Sequence, residues 1–265
     1  MSARRYAHAD QDAVLALLQA DRLPGLPPAA PFLLDQPPSG PGADLTETFL
    51  LLGPAGRAVG AVRCGVRPGD DAGMIWWLHG GEDFGVIASL LALARAHLGE
   101  RRPLYAFGAS PDPAGLPGLP VRHRPVTVRA LQAAGFVPDD ATWYFRRLVT
   151  VPRRPPGYPL AEVTALSDPP GWRLKMTDTG GRLLATAVLH APGDGTAALA
   201  RLAVHPTHQG RDTGERLLAQ CLHLAAGHHA TDVTARTNAG DHTAARLLAA
   251  AGFALIDTPT VYHHP

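Results

Sequence analysis

The stretch Val204-His-Pro-Thr-His-Gln-Gly-Arg-Asp-Thr-Gly-Glu-Arg-Leu-Leu218 decides how this chain is read. An apolar, β-prone run, Ala197 to Val204, leads into it, and Pro206 ends any strand ladder by removing a backbone donor. A polar loop with two glycines, Gly210 and Gly214, follows. Leu217, Cys221 and Leu224 then recur at i, i+4 and i+7, with Leu218, Leu222 and Ala225 beside them, which predicts an amphipathic helix from about Gly214 to Ala226. The first amides of such a helix have no intrahelical acceptor, and the helix dipole adds roughly half a positive charge there. A strand–loop–helix turn of this kind suits a phosphate or pyrophosphate, and Arg211 adds a formal cation. Read without its context, the same segment is an ordinary connection with a solvated loop.

Working outward, the chain repeats itself. The segment GRAVGAVRCGVRPGD from Gly56 resembles GRLLATAVLHAPGD from Gly181. RALQAAGFVPDDATWY, Arg129 to Tyr144, resembles RLLAAAGFALIDTPTVY, Arg246 to Tyr262, in the same order. Matched blocks in order imply two units of similar fold. The boundary is expected at residues 151–159, where four prolines in nine residues make a semi-rigid linker. This gives an N-terminal domain over 1–150 and a C-terminal domain over 160–265. Proline and glycine also crowd Leu23 to Gly42 and Ser110 to Pro125, which read as long loops of the first half.

The first half is expected to open with a helix over Asp12–Ala20. Strands follow at Glu47–Leu52, Ala58–Arg67 and Met74–Leu78, then a helix from about Phe84 to Leu98. A short strand near Leu104–Phe107, a helix near Val126–Ala134 and a strand ending at Arg147 complete it. The second half reads as strands Trp172–Thr177, Leu183–His190 and Ala197–Val204, the long helix, strand Asp232–Thr237, helix Thr243–Ala251 and a last strand near Thr260–His263. Both are mixed α/β units. The second lacks the opening helix and is expected to lean on its partner to cover that face.

Composition sets bounds. The chain has 265 residues, 46% hydrophobic and 18% charged, which suits globular folding with a substantial core. Lys+Arg 24 against Asp+Glu 23 gives a net charge of +1. This argues against a strongly basic nucleic-acid binder and offers no polybasic membrane signal; no basic stripe is visible either. No apolar run reaches the ~20 residues of a membrane span. Two cysteines, Cys64 and Cys221, make neither a disulfide framework nor a metal spacing, so a cytoplasmic location is expected and no metal site. Lys175 is the single lysine, and the arginine, alanine, glycine and proline usage resembles that of a high-GC bacterial genome.

The order V-x-P strand end, Gln209-Gly210-Arg211-Asp212-Thr213-Gly214, then a helix with Leu217-Leu218, resembles the signature of the GCN5-related N-acetyltransferase (GNAT) superfamily, Q/R-x-x-G-x-G/A. The resemblance extends to Asn238 and to Arg246-Leu-Leu-Ala-Ala-Ala-Gly-Phe253. It covers about residues 172–264, and the first half more weakly through the repeat. It implies two tandem GNAT-like domains, each a mixed, mostly antiparallel sheet flanked by helices, with a splayed parallel strand pair. Acetyl-CoA would be the co-substrate. By this similarity Leu202 and Val204 offer backbone groups to the pantetheine arm. Gln209, Gly210, Arg211, Asp212, Thr213, Gly214 and Glu215 hold the pyrophosphate, and Asn238 sits near the thioester. Backbone donors aimed at a developing oxyanion contribute about 3–4 kcal/mol each in well-studied enzymes, and holding amine and thioester together adds to this.

Three departures bear on function. Asp212 replaces the motif's first glycine, which is tolerable at positive φ but places a carboxylate near the pyrophosphate unless it turns outward or pairs with Arg211. No glutamate precedes the V-x-P segment in Ala197–Ala203, and Leu248 and Leu131 stand where the family often has a tyrosine acid. The replacement candidates are His190 and Tyr262, with His205, Asp241 and His242 behind them; imidazole titrates near neutral pH, as a general base should. An amine arriving partly deprotonated needs only water as base. In the first half, aligning Leu90-Leu91 on Leu217-Leu218 puts Glu82 at the position of Gln209 and Phe84 at that of Arg211, with Trp76 and Trp77 replacing Ala203 and Val204. Two carboxylates, Glu82 and Asp83, and no cation there predict poor coenzyme binding, hence a degenerate N-terminal copy.

The expected function is transfer of an acetyl group from acetyl-CoA to the amine of a small molecule by direct attack, such as an antibiotic, amino sugar or biosynthetic intermediate. No nucleic-acid or membrane partner is expected. The chain is expected to be a monomer, its halves forming a pseudo-dimer, or a homodimer. The alternative is a non-catalytic GNAT fold acting as a ligand sensor or assembly module, which Asp212, Leu248 and the missing glutamate favour.

Overall fold

A computed structural model of the chain describes residues 1–23, 26, 46–67, 69–99, 101–108, 117–150, 160–209 and 211–265. The expected linker 151–159, the glycine Gly210 and most of the two expected proline-rich loops lie outside these residues. The chain divides into two units, Met1–Thr142 with Asp257–Pro265, and Trp143–Ile256. The division differs from the expected 1–150 and 160–265. It falls inside a twelve-residue strand, and the end of the chain returns to the first unit. Proline content marks where ladders stop, whereas strand pairing decides which unit a segment completes.

In the first unit, β1 (Ser2–Arg5), β2 (Glu47–Leu52), β3 (Ala58–Val66) and β4 (Gly73–His79) form an antiparallel run. β5 (Leu104–Ala106) joins β4 in parallel. β14 (Pro259–His264) lies antiparallel between β5 and the first part of β7 (Val137–Leu148), and the short β6 (Leu119–Pro120) also pairs with it. On one face, helix α1 (Gln11–Ala20) packs its fully buried Val14 and Leu18 on Leu50, Ala61 and Trp77. On the other, α2 (Phe84–Leu98) buries Ile87, Leu90, Leu91, Ala94 and Leu98, a helical i, i+3, i+4, i+7, i+11 pattern, with Val62, Ile75 and Leu78. α3 (Pro125–Ala133) adds Ala130 and Leu131 to the same core. Each buried leucine or isoleucine contributes about 1.5–3 kcal/mol by leaving water.

In the second unit, β8 (Glu162–Ser167), β9 (Pro170–Thr177), β10 (Leu183–Gly193) and β11 (Thr196–Val204) run antiparallel. β12 (Asp232–Asn238) lies parallel to β11, with the second part of β7 beyond it and β13 (Ala254–Asp257) paired to β7. Helices α4 (Thr213–Gly227) and α5 (His242–Ala250) bury Leu217, Leu218, Cys221, Ala225 and Leu248 against Leu174, Met176, Leu189, Leu199, Val233 and Ala235. Side chains alternate along a strand, so Arg173, Lys175, Val188, His190, Arg201 and Arg236 belong to the opposite face. Among the described residues no helix of this unit covers that face, and Arg173, Lys175, Arg201 and Arg236 are exposed on it.

Candidate functional site

The site of the second unit begins where its parallel pair opens. β11 and β12 pair from Thr196–Asp232 to Leu199–Ala235 and no further. Beyond that level the backbone of β11 has β10 on one side and, among the described residues, no strand on the other. Opposite β10, Leu189 pairs with Leu199 and Val188 with Arg201, so Ala200 is the extra residue of a β-bulge. A bulge bends its strand and breaks the ladder, which here coincides with the opening. A groove of about 710 Å³ follows, with Leu202, Ala203 and Val204 as one wall. Its size falls in the range of small-molecule and cofactor sites.

The loop folds back over the end of β11. Residues Pro206–His208 make one 3-10 turn, whose N-cap is His205; the His205 Nδ1 lies 2.9 Å from the Thr207 hydroxyl. Gln209 donates its side-chain amide to the Val204 carbonyl at 3.3 Å. Arg211, Asp212, Gly214 and Glu215 line the groove, and Thr213 between them is buried. Asp212 has φ −68° and ψ −2°, ordinary right-handed backbone, so no positive φ asks for glycine there. Its carboxylate turns outward to Arg216, one helical turn on, at 2.5 Å, and not to Arg211. It makes no side-chain cap bond to the helix. Among the described residues nothing accepts from the amides of Thr213, Gly214 or Glu215, so these donors and the positive end of the dipole face the groove. At Gly214 a Cβ would come within 3.0 Å of the Leu247 Cδ2 and 3.2 Å of the Val204 Cγ2; this glycine permits the close approach of helix to strand.

The candidate catalytic side chains are not gathered in this groove. Tyr262 sits on β14, belongs to the first unit and is 2% exposed in its core, paired with Ala106 and Pro138. The likeness of the two AAGF blocks had suggested a last strand for the second half, whereas the chain's end completes the first. His190 is half-buried on β10, opposite Ala198, on the open face and not among the groove's lining residues. Asn238 ends β12, exposed, and its carbonyl accepts from the Asp241 amide at 2.9 Å. Asp241 caps α5 by accepting from the Ala244 amide at 2.9 Å, and the His242 ring lies against Trp143 with centroids 5.2 Å apart. Those contacts are structural. Burial pushes the Cys221 thiol up to about 12, far from the range of a nucleophile at neutral pH.

The first unit carries the same geometry filled in. β4 and β5 pair from Gly73–Leu104 to Ile75–Ala106, and Trp76 is the bulge residue immediately beyond. The bulges align Trp76 with Ala200 and Trp77 with Arg201, three residues earlier than twin-leucine counting places them, because the connection from strand to helix is shorter in the first unit. Trp76 and Trp77 are buried against α1. Asp83 caps α2, accepting from the Val86 amide at 3.0 Å. The Glu82 carboxylate accepts from the Val126 and Thr127 amides of α3 at 2.7 and 3.2 Å and from the Thr127 hydroxyl. Arg124, 1% exposed, bridges Glu82 and Asp21 at 3.3 Å each, and the His79 Nδ1 meets Asp21 at 3.0 Å. Where the second unit offers open amides, the first has supplied its own anions.

Two features were not read from the sequence. Thr243, Arg246 and Leu247 of α5 form the far wall of the groove. Their signal is weak, since Leu247 is one apolar residue among many in an alanine-rich helix. The basic face was also missed, although Arg173 and Lys175 at i, i+2, with polar Thr186 and His190 alternating on the next strand, carry it.

Residues 139–253 match the family model for acetyltransferases (GNAT). No curated protein matches the chain significantly. Among solved structures, a GCN5-related N-acetyltransferase from Sphaerobacter thermophilus superposes with TM-score 0.65 at 15% identity, covering 99% of this chain and 94% of that one. A tandem GNAT protein from the clavulanic acid biosynthesis pathway gives TM-score 0.62 at 17% identity, covering 99% and 97%. A GNAT-family acetyltransferase from Colwellia psychrerythraea gives 0.58 at 11% identity, covering 99% of each. At these identities the likeness concerns the fold. Residues 139–253 are thus similar to the GNAT acetyltransferase family, and the chain as a whole shares the fold of a tandem GNAT protein.

Proposed function

We propose that the second unit binds acetyl-CoA in the groove between β11 and α4 and transfers its acetyl group to the amine of a small molecule. The observation that carries this reading is the set of unclaimed amides at the start of α4, beside Arg211, at the floor of a groove of fitting size. A diphosphate is what that donor set accepts. Arg246 on α5 adds a second cation to the wall. When bound, acetyl-CoA supplies an acyl group activated as a thioester. The backbone of β11 from Ala200 to Val204, without a strand on one side, is free to hold an extended pantetheine arm in the manner of strand addition. Gln209 holds the Val204 carbonyl, and Gly214 keeps the helix close enough for its amides to reach the same ligand. Both thiols are buried, which favours direct attack of the amine over an acyl-cysteine enzyme.

The test is calorimetric titration of the protein with acetyl-CoA, beside Gly214→Glu. The variant sets a carboxylate among the amides and is expected to lose binding while the wild type retains it; equal binding by both removes the site. A second reading, a GNAT fold that binds coenzyme without turnover, is favoured by the absence of a carboxylate in Ala197–Ala203 and by Leu248, 3% exposed, where the family often has a tyrosine. Thiol release from acetyl-CoA with a panel of amines separates the two. Turnover on any amine refutes the non-catalytic reading.

A further inference from the structure

The open face of the second unit is far more basic than the chain. Its strands place Arg146, Arg173, Lys175, Arg201 and Arg236 on one side of the sheet, against Glu162 and Asp232 as the acids there. The face thus carries a formal +3 in a chain of net +1. Asp232 is already engaged, accepting from the Arg146 Nε at 2.7 Å. Arg173, Lys175, Arg201 and Arg236 are exposed and have no ion pair or hydrogen-bond partner among the described residues. Arg173 and Arg201 lie in one cross-strand row, both opposite Val188, so their strands are about 10 Å apart. Like charges about 10 Å apart still repel at moderate ionic strength, and an anion between them relieves that repulsion.

Position gives this charge its meaning. Arg236 is the first residue of β12 past its last pairing with β11, and Arg201 follows the bulge on β11 directly, so the two cations stand on opposite strands at the mouth of the opening. The Tyr144 phenol, 2% exposed, lies on the same face beside Thr234, with Arg146 and Arg236 flanking it. The coenzyme groove lies on the other face, with α4 and α5. A ligand threaded through the opening delivers its acyl end toward the cations.

Resting on the acyltransferase reading, we infer that the acceptor is an anionic amine, a small molecule bearing a carboxylate or phosphate, whose acidic group is held by Arg201 and Arg236 on the open sheet face. Guanidinium groups offer such anions planar, paired donors, worth about tenfold in affinity per charge-assisted contact. His190 and Asn238 share the face and are placed to meet the rest of such a molecule.

The test uses the full chain saturated with coenzyme A and two matched pairs of probes, glucosamine 6-phosphate against glucosamine and glycine against glycinamide, by calorimetry. At least one anion is expected to bind about tenfold more tightly than its neutral match, and which pair discriminates tells phosphate from carboxylate. Arg201→Gln with Arg236→Gln is expected to abolish the preference, leaving acetyl-CoA affinity within about twofold, while Arg182→Gln on the exposed turn leaves both unchanged. Equal binding within both pairs, a preference that survives the double variant, or binding only to a polyanion such as duplex DNA overturns the proposal. An anion preference in a protein that fails to bind acetyl-CoA overturns the acyltransferase reading instead, and the acceptor assignment with it.

Discussion

Asp212 and Arg216 offer a direct way to weigh the electrostatics of the proposed coenzyme loop. The pair is 2.5 Å apart but exposed, at 58% and 42% of the side chains, so it contributes at most about 1 kcal/mol to stability. Its importance lies in where it keeps the carboxylate. In the first unit Asp83, at the corresponding helix start, accepts from the Val86 amide and so occupies the donors. Arg216→Ala frees Asp212 to do the same, and N-capping by aspartate is worth about 1 kcal/mol. Coenzyme must then displace it, which raises the acetyl-CoA Kd about fivefold. Asp212→Ala acts oppositely. It removes a negative charge from the mouth of the groove, costs little because the side chain makes no cap bond, and should tighten binding about two- to fivefold. The double variant should bind like Asp212→Ala, because without the carboxylate the arginine has nothing to restrain. Calorimetry at roughly 0.1 M salt, where screening leaves interactions within ~10 Å intact, measures all four proteins. The reasoning fails if Arg216→Ala leaves Kd unchanged, or if the double variant is as weak as Arg216→Ala alone.

Ala200→Trp, which gives the second unit the bulge residue of the first, should block coenzyme turnover while the melting temperature moves little, since Ala200 is exposed; normal kinetics would show that the opening is not used. Burial pushes the Cys64 and Cys221 thiols up to about 12, so neither should react with a disulfide reagent at about pH 8 in the native protein, and both should react once it is denatured; a fast native phase would reveal an opening core. Burial raises the Asp21 carboxyl, but the His79 hydrogen bond and the Arg124 charge outweigh it and hold the group below its ordinary value. Stability from this group is therefore present above the usual ~3.9 and lost as pH falls below it through the depressed value. Denaturant midpoints of the first unit between neutral and acid pH should fall less steeply in Asp21→Asn, and parallel acid limbs would refute the assignment.

Elements with one buried face were legible because periodicity reports burial. Phe84–Leu98 and Glu47–Leu52 match expectation to the residue, since Ile87, Leu90, Leu91, Ala94 and Leu98 can share a core only on a helix, and consecutive Leu50 and Leu51 serve two covered faces of a strand. Ser2–Arg5 and Glu162–Ser167 were not read, because these edge strands bury nothing and carry no alternation to see. In the site, the strand–proline–loop–helix order singled out Leu202, Val204, Gln209, Arg211, Asp212, Gly214 and Glu215, all of which line one groove. The roles given to His190 and Tyr262 had no such local support, as each depends on which strand its own strand pairs with.

Residues close in the chain thus determined the helix whose first amides stay open, the glycine that lets it approach β11, and the aspartate that caps the equivalent helix of the first unit. Those features follow from backbone geometry over a few residues. Pairings distant in the chain were decided by tertiary structure alone. It gave Tyr262 to the first unit and collected Arg173, Lys175, Arg201 and Arg236 on one open face. Strand order and register select these juxtapositions, and register is set by the sum of many weak side-chain fits across the sheet, which no single stretch of residues encodes.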